Sequence, residues 1–251
     1  MNDEAKPSAL GTKEEVVDLT LLANFVHQIV NPLNAVAGTL DNLAEGLIKE
    51  EHRREQRLAA ARAQIEQCIS LMRNLAFLAQ GSGGVADNDR RIVVLPQVII
   101  EAAMFYQEDG KTKRIEINLD DRVTQNRVSG HPELIKQVLM NLFDNAVKYS
   151  RRGTEVKVSQ RIQASTGYAI IEVRSKPEYP IDGGDIERIF DKGFRGRNAR
   201  KVVASGTGLG LYICRQLVED LHGGALTVQS EGGDGLLFTV KLPRGERGDR
   251  G

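Results

Sequence analysis

The sequence predicts an α+β protein in two parts, a long helical hairpin followed by an α/β sandwich. Three observations predict it. Apolar residues recur at alternating spacings of three and four between residues 22 and 79. Beyond residue 90 the period changes, and short alternating runs interleave with amphipathic helical stretches. Between the two lies "QGSGGVADNDR", a glycine- and aspartate-containing break of the kind that joins domains. The expected boundaries are a hairpin over 12–80, a linker over 81–90, a sandwich over 91–243 and a loose tail over 244–251.

Bulk composition narrows the function classes. A chain of 251 residues can bury one large core or two small ones. With 41% hydrophobic and 27% charged residues, disorder is not expected. Thirty-four basic residues balance thirty-four acidic ones, so no nucleic acid or membrane surface is implied as a partner. Cys68 and Cys214 lie far apart inside helical patterns and read as buried, reduced thiols. No apolar run approaches the roughly 20 residues that span a bilayer, and "MNDEAKPSALG" lacks a signal peptide's apolar stretch. The expectation is a cytoplasmic protein with no membrane segment in this chain.

Leu22, Val26, Ile29, Leu33, Val36, Leu40, Leu43 and Leu47 form the first heptad seam. The charged stretch "KEEHRREQR" then connects to a second seam, Leu58, Ala61, Ile65, Cys68, Met72, Leu75 and Ala79. Two such helices form an antiparallel hairpin, and pairing with a second copy into a four-helix bundle would bury both seams. A homodimer is therefore expected, with a monomeric hairpin packed on the rest of the chain as the alternative. In the second part, "RRIVVL" and "RIEINL" read as strands around the helix "PQVIIEAAMFYQ". "HPELIKQVLMNLFDNAVKYS" is a strongly amphipathic helix, "TEVKVSQRI" and "GYAIIEVRS" alternate like strands, and "GLGLYICRQLVEDLH" is a helix. "GALTVQSE" and "GLLFTVKLP" close the domain as a strand pair. Mixed in this way, they imply a sheet with helices on one face.

Three stretches carry chemistry. In "NFVHQIVNPLNAV", His27 follows the seam position Val26, so its imidazole should point away from the bundle core. Pro32 bends or frees the helix five residues later. A surface histidine beside an ordinary kink would look the same. In "QVLMNLFDNAVKYS", Asn141, Asn145 and Lys148 share one helix face. Amide oxygens suit a Mg²⁺ ion that already carries phosphates and waters, and the lysine offers a point charge. The bland reading is a polar outer face. In "SGTGLGLYICRQL", Gly206, Gly208 and Gly210 alternate where a helix opens, which lets backbone amides approach an anion. Upstream, "FDKGFRGRNARKVVAS" spreads Arg195, Arg197, Arg200 and Lys201 through a basic loop, either a lid that reaches phosphates or a solvated loop.

Taken together, these strings resemble the two-component sensor histidine kinases from about residue 19 to residue 243. "HQIVNPLN" looks like the H box with His27 as phosphoacceptor, "NLFDNAVKYS" like the N box, and "GTGLGLYI" like the second glycine box. "IFDKGFRG" is similar to the F box through Phe190 and Phe194. The resemblance implies a dimerisation and phosphotransfer bundle, then a Bergerat-type ATP-binding sandwich shared with chaperone, gyrase and mismatch-repair ATPases. It implies nucleotide contacts from Asn141, Asn145, Lys148 and Tyr149, from Gly206, Thr207, Gly208, Leu209 and Gly210, and from Arg197 in the lid. Asn145 and Asn141 would hold Mg²⁺, ATP would be the phosphoryl donor, and a response-regulator receiver domain would be the acceptor from His27.

Two departures from the family pattern stand out. The family follows the strand ending near Val173 with Asp-x-Gly-x-Gly, whose carboxylate accepts from the adenine amino group. Here stands "RSKPEYPI", with Ser175 or Lys176 at the aspartate position according to the direction of alignment. A lysine only donates, whereas a serine can accept. Losing a charged hydrogen bond weakens binding by roughly 1.5–3 kcal/mol, so weakened rather than abolished adenine binding is expected. The second departure is Gln28, where the family places an acidic residue to orient the histidine. Its carbonyl can accept a hydrogen bond but cannot act as a base. Asn31, four residues after His27, matches the position that orients a hydrolytic water in many members. The rival reading is a phosphotransfer or scaffold protein whose nucleotide domain has decayed; a general ATPase would keep turnover without His27.

Overall fold

Heptad rows in the N-terminal helices split into a buried and an exposed set. In the computed structural model, which describes residues 19–80, 89–203, 206–232 and 234–244, helix α1 (Leu19–Ala44) packs along α2 (Glu51–Gln80). Val36, Ala61 and Cys68 are buried between them. The other row, Val26, Leu33 and Leu40 on α1 with Leu58, Ile65 and Met72 on α2, is 42–51% exposed. The seam on α1 is shorter than its sequence suggests. Gly46 adopts φ +68°, and Leu47 N–H reaches Asn42 O (3.0 Å) while Gly46 N–H reaches Leu43 O (3.2 Å). This is a Schellman stop, so Leu47 falls beyond the helix. The charged stretch is likewise not all connection, because Glu51–Arg57 form the first turns of α2. Residues 81–88 of the expected 81–90 linker and most of the tail lie outside the described residues.

The second part is α+β. A five-stranded mixed sheet runs in the order β2 (Glu116–Leu119), β4 (Glu155–Ile162), β5 (Ala169–Ser175), β7 (Gly235–Leu242), β6 (Ala225–Glu231). Only β2 and β4 run parallel. A separate ribbon pairs β1 (Arg91–Val94) with β3 (Arg127–Gly130). Cross-strand rows such as Val158–Val173–Phe238 set apolar residues side by side. That row packs in one core with α3 (Leu95–Met104), α5 (Pro132–Tyr149) and α8 (Gly210–Arg215) through Ile99, Leu142, Phe143 and Ile213. Pro96 and Pro132 open α3 and α5 at positions where a missing N–H costs nothing. Short pieces without apolar periodicity were not expected from sequence: α4 (Gln107–Lys113), β3, α6 (Gly183–Arg188) and α7 (Arg197–Val202). Helix α8 runs on into a π-helical stretch, Gln216–Leu221.

The hairpin and the sandwich of one chain share packing. Phe25 on α1 is fully buried in the sandwich core, and Gln137 of α5 donates to the Asn74 carbonyl of α2 in a buried contact. Cysteine placement follows expectation: both thiols are buried, and burial raises Cys68 and pushes Cys214 up to about 12. Thiol reagents should therefore label neither in the native protein within an hour, and both in urea, which quantitative alkylation would check.

His222 ties the end of the π-helical stretch to the ribbon. Its Nδ1–H donates to Leu217 O (2.6 Å), and Nε2 accepts from the His131 N–H (3.1 Å), so the ring is neutral. Burial, and then the neighbouring His131 and Arg90, lower its pKa. A lowered folded-state value means the unfolded chain binds the extra proton first. Stability contributed here is complete above the unfolded value of about 6.5 and is lost as pH falls below it. The urea midpoint should drop between pH 7.5 and 5.5, and His222→Gln should flatten that drop.

Candidate functional site

A cavity of about 220 Å³ lies between α5, the ends of β5 and β7, the segment 194–203 and the glycine turn. Local sequence explains the α5 wall. The polar face of α5 delivers Asn141, Asn145 and Lys148, because its opposite face is buried through Leu139, Leu142 and Phe143. Asn141 Nδ2 donates to Gly210 O (3.4 Å), tying α5 to the start of α8. Lys148 Nζ pairs with Asp144 one helical turn back (2.6 Å), and Asp144 also lines the cavity. Lys113 Nζ donates to Val147 O (2.9 Å) and Lys148 O (2.5 Å), holding the last turn of α5; burial, and then Lys148, lower its pKa. Tyr106 closes another side, and burial followed by the charge of Asp144 raises its hydroxyl well above the usual range.

The glycine turn depends on Gly208. Its φ is +67°, and a Cβ there would lie 2.6 Å from both the Gly193 carbonyl carbon and the Phe194 carbonyl oxygen. The turn therefore lies directly against the 193–194 backbone, and its amides reach the cavity. Two of those amides hold a residue of the hairpin. The Gln28 carboxamide accepts from Thr207 N–H (2.9 Å) and Gly206 N–H (3.1 Å). Only its oxygen can face two donors, which fixes the amide orientation. Gln28 is thus engaged by the turn, not by His27, in this conformation.

The structure brings together Gln28, Asn141, Asn145, Lys148, Tyr149, Gly206, Thr207, Gly208 and Gly210 around one cavity. Four expected site residues do not line it. His27 and Asn31 are exposed on α1, Leu209 is fully buried in the core beneath the turn, and Arg197 is exposed at the start of α7. Arg195 and Asn198 line the cavity where Arg197 does not, and Asn198 Nδ2 donates to Pro180 O (2.9 Å). The aspartate-position ambiguity also resolves. Ser175 ends β5, is 7% exposed and lines the cavity, whereas Lys176 is exposed and does not. Leu71 and Asn74 of α2 line it as well. Their contribution depends on how the hairpin docks, which no local pattern encodes.

The donor set fits a nucleotide with its own cation. Backbone amides and Lys148 suit phosphate oxygens. Among the described residues no cluster of three His, Cys, Asp or Glu forms a metal cage. Amide oxygens of Asn141 and Asn145 suit a Mg²⁺ that keeps phosphates and waters as most of its ligands.

Residues 130–246 match the family described as histidine kinase-, DNA gyrase B- and HSP90-like ATPase. The sensor protein SrrB of Staphylococcus aureus is 25% identical over 226 residues, which cover 90% of this chain and 38% of SrrB. The chain thus spans well under half of that relative's length. Among solved structures, the catalytic domain of the histidine kinase ThkA is 27% identical, with a TM-score of 0.52, over 62% of this chain and 97% of that one. ThkA in complex with the response regulator TrrA aligns with a TM-score of 0.56 at 22% identity, over 90% of this chain and 61% of that one, and this likeness speaks to fold alone.

Proposed function

We propose that this two-component histidine kinase core, whose residues 130–246 belong to the histidine kinase-, DNA gyrase B- and HSP90-like ATPase family, autophosphorylates on His27 and passes the phosphoryl group to a receiver aspartate. The observation that supports it is a single cavity lined by Asn145, Lys148, the glycine turn and Gln28, the residue next to the exposed His27. Bound Mg-ATP would supply a γ-phosphoryl group with its charge partly neutralised by the metal. Asn141 and Asn145 would offer oxygens to the metal, and Lys148 and the amides of Gly206–Gly208 would hold phosphate. His27 would present a ring nitrogen that forms a P–N bond as the bond to the ADP oxygen breaks. Asn31, one turn further along α1, would position water for dephosphorylating the receiver.

A homodimer completes the reading. The exposed rows through Val26, Leu33 and Leu40 and through Leu58, Ile65 and Met72 form a double apolar stripe that a second hairpin would cover as a four-helix bundle. Among the described residues no helix is long and apolar enough to cross a membrane. The receiver partner belongs to the same reading, since an exposed phosphohistidine at His27 would be open to a receiver aspartate.

The test is incubation with γ-labelled ATP and Mg²⁺. The reading expects label that is stable in alkali and lost in acid, as a phosphoramidate is. No label, or acid-stable label, would contradict it. Gln28 adds a second expectation. Because it occupies two amides of the turn, Gln28→Leu should tighten nucleotide binding by about five- to 150-fold, at roughly 0.5–1.5 kcal/mol for each of the two hydrogen bonds released. Calorimetry would read this directly, and unchanged or weaker binding would contradict the competition.

A further inference from the structure

One wall of the cavity is apolar, and Ser175 is set beside it. Leu236 and Phe238 on β7, together with Ile181 and Ile189, supply the apolar surface. Ser175 is paired in register with Leu236 at the end of β5. Its side chain is more than nine-tenths buried, lines the cavity, and makes no hydrogen bond among the described residues. A hydroxyl that is open to the cavity and has no protein partner, set beside an apolar wall, is poised to bond a ligand. Lys176 next to it is exposed and stays out. The other carboxylate on this side, Asp185, is turned toward the start of α7: a Cβ on Gly196 would lie 2.5 Å from its Oδ2.

From this we infer that Ser175 sets the base selectivity of the site, and that it accepts guanine as well as adenine nucleotides. The inference rests on the nucleotide reading above and extends it to substrate class. A carboxylate only accepts, so it pairs with the 6-amino group of adenine and repels the 6-oxo group of guanine. A hydroxyl both donates and accepts. It can take a hydrogen bond from the adenine amino group or give one to the guanine oxygen, and so discriminates little between them.

The experiment is calorimetry of the wild-type chain with Mg-ATP and with Mg-GTP. The two dissociation constants are expected to lie within about tenfold of one another, the span of one hydrogen bond. Ser175→Asp is expected to restore at least a tenfold preference for ATP, chiefly by weakening GTP. A wild-type preference for ATP beyond about a hundredfold would overturn the inference, most pointedly if Asp185→Asn removed that preference. An ATP-to-GTP ratio that Ser175→Asp leaves unchanged would overturn it too. ATP binding without GTP binding defeats this inference alone, whereas heat from neither nucleotide defeats the nucleotide reading with it. The wild-type comparison needs no variant to fold.

Discussion

His27→Ala is expected to abolish phosphoryl labelling by ATP while leaving nucleotide affinity within about threefold of wild type. The separation follows from geometry. His27 is exposed on α1 and does not line the cavity, so removing its imidazole takes away the nucleophile and none of the binding contacts. Without a nucleophile the covalent step has no partial substitute, because Gln28 and Asn31 carry amides that do not attack phosphorus. Labelling should therefore fall by at least about a hundredfold, the range in which single covalent residues act. Chemical mapping of the labelled residue checks the same point. Label persisting in the variant would move the phosphoacceptor elsewhere, and ATP hydrolysis persisting undiminished would favour a general ATPase.

The second large effect belongs to Gly208→Val. Two costs add at this position. A left-handed backbone costs a residue with a Cβ about 1–2 kcal/mol, and more when it is β-branched. The Cβ would also meet backbone at 2.6 Å on the 193–194 side, where nothing flexible can move aside. A loss of at least about 2 kcal/mol, seen as a Tm lower by roughly 4–8 °C, is expected together with loss of measurable nucleotide binding, since the turn must open. Neighbouring glycines give the control. A Cβ on Gly210 would meet Asn141 at an ordinary 3.7 Å, and one on Gly206 would meet the Arg195 side chain at 3.2 Å. Gly210→Ala and Gly206→Ala should melt close to wild type. If Gly208→Val melts with them, the turn is not held as described.

Particular residues show what was legible in sequence. The long α5 could be read with its polar face, because Asn141, Asn145 and Lys148 recur at helical spacing opposite a continuous apolar face. The sheet could be read from the alternation in β4 and in the second half of β5. The end of α1 was misread because apolar spacing continues to Leu47, while the stop is a backbone event at Gly46. Arg197 stood for the lid cations in sequence, yet Arg195 faces the cavity, since a basic loop without periodicity does not say which way its side chains turn. The choice between Ser175 and Lys176 needed the register of β5 against β7. Contacts of Gln28 with the glycine turn and of Asn74 with Gln137 join residues far apart in the chain, and no local pattern announces them.

One measurement tests the central claim most directly, that the altered loop after β5 leaves a working nucleotide site: calorimetric titration of the whole chain with Mg-ATP beside an Asn145→Ala variant. The account predicts saturable binding that the variant loses, in the micromolar to millimolar range expected when a carboxylate is replaced by a hydroxyl. No heat up to millimolar nucleotide, or binding that Asn145→Ala leaves intact, would contradict it and leave a phosphotransfer or scaffold protein with a kinase's shape.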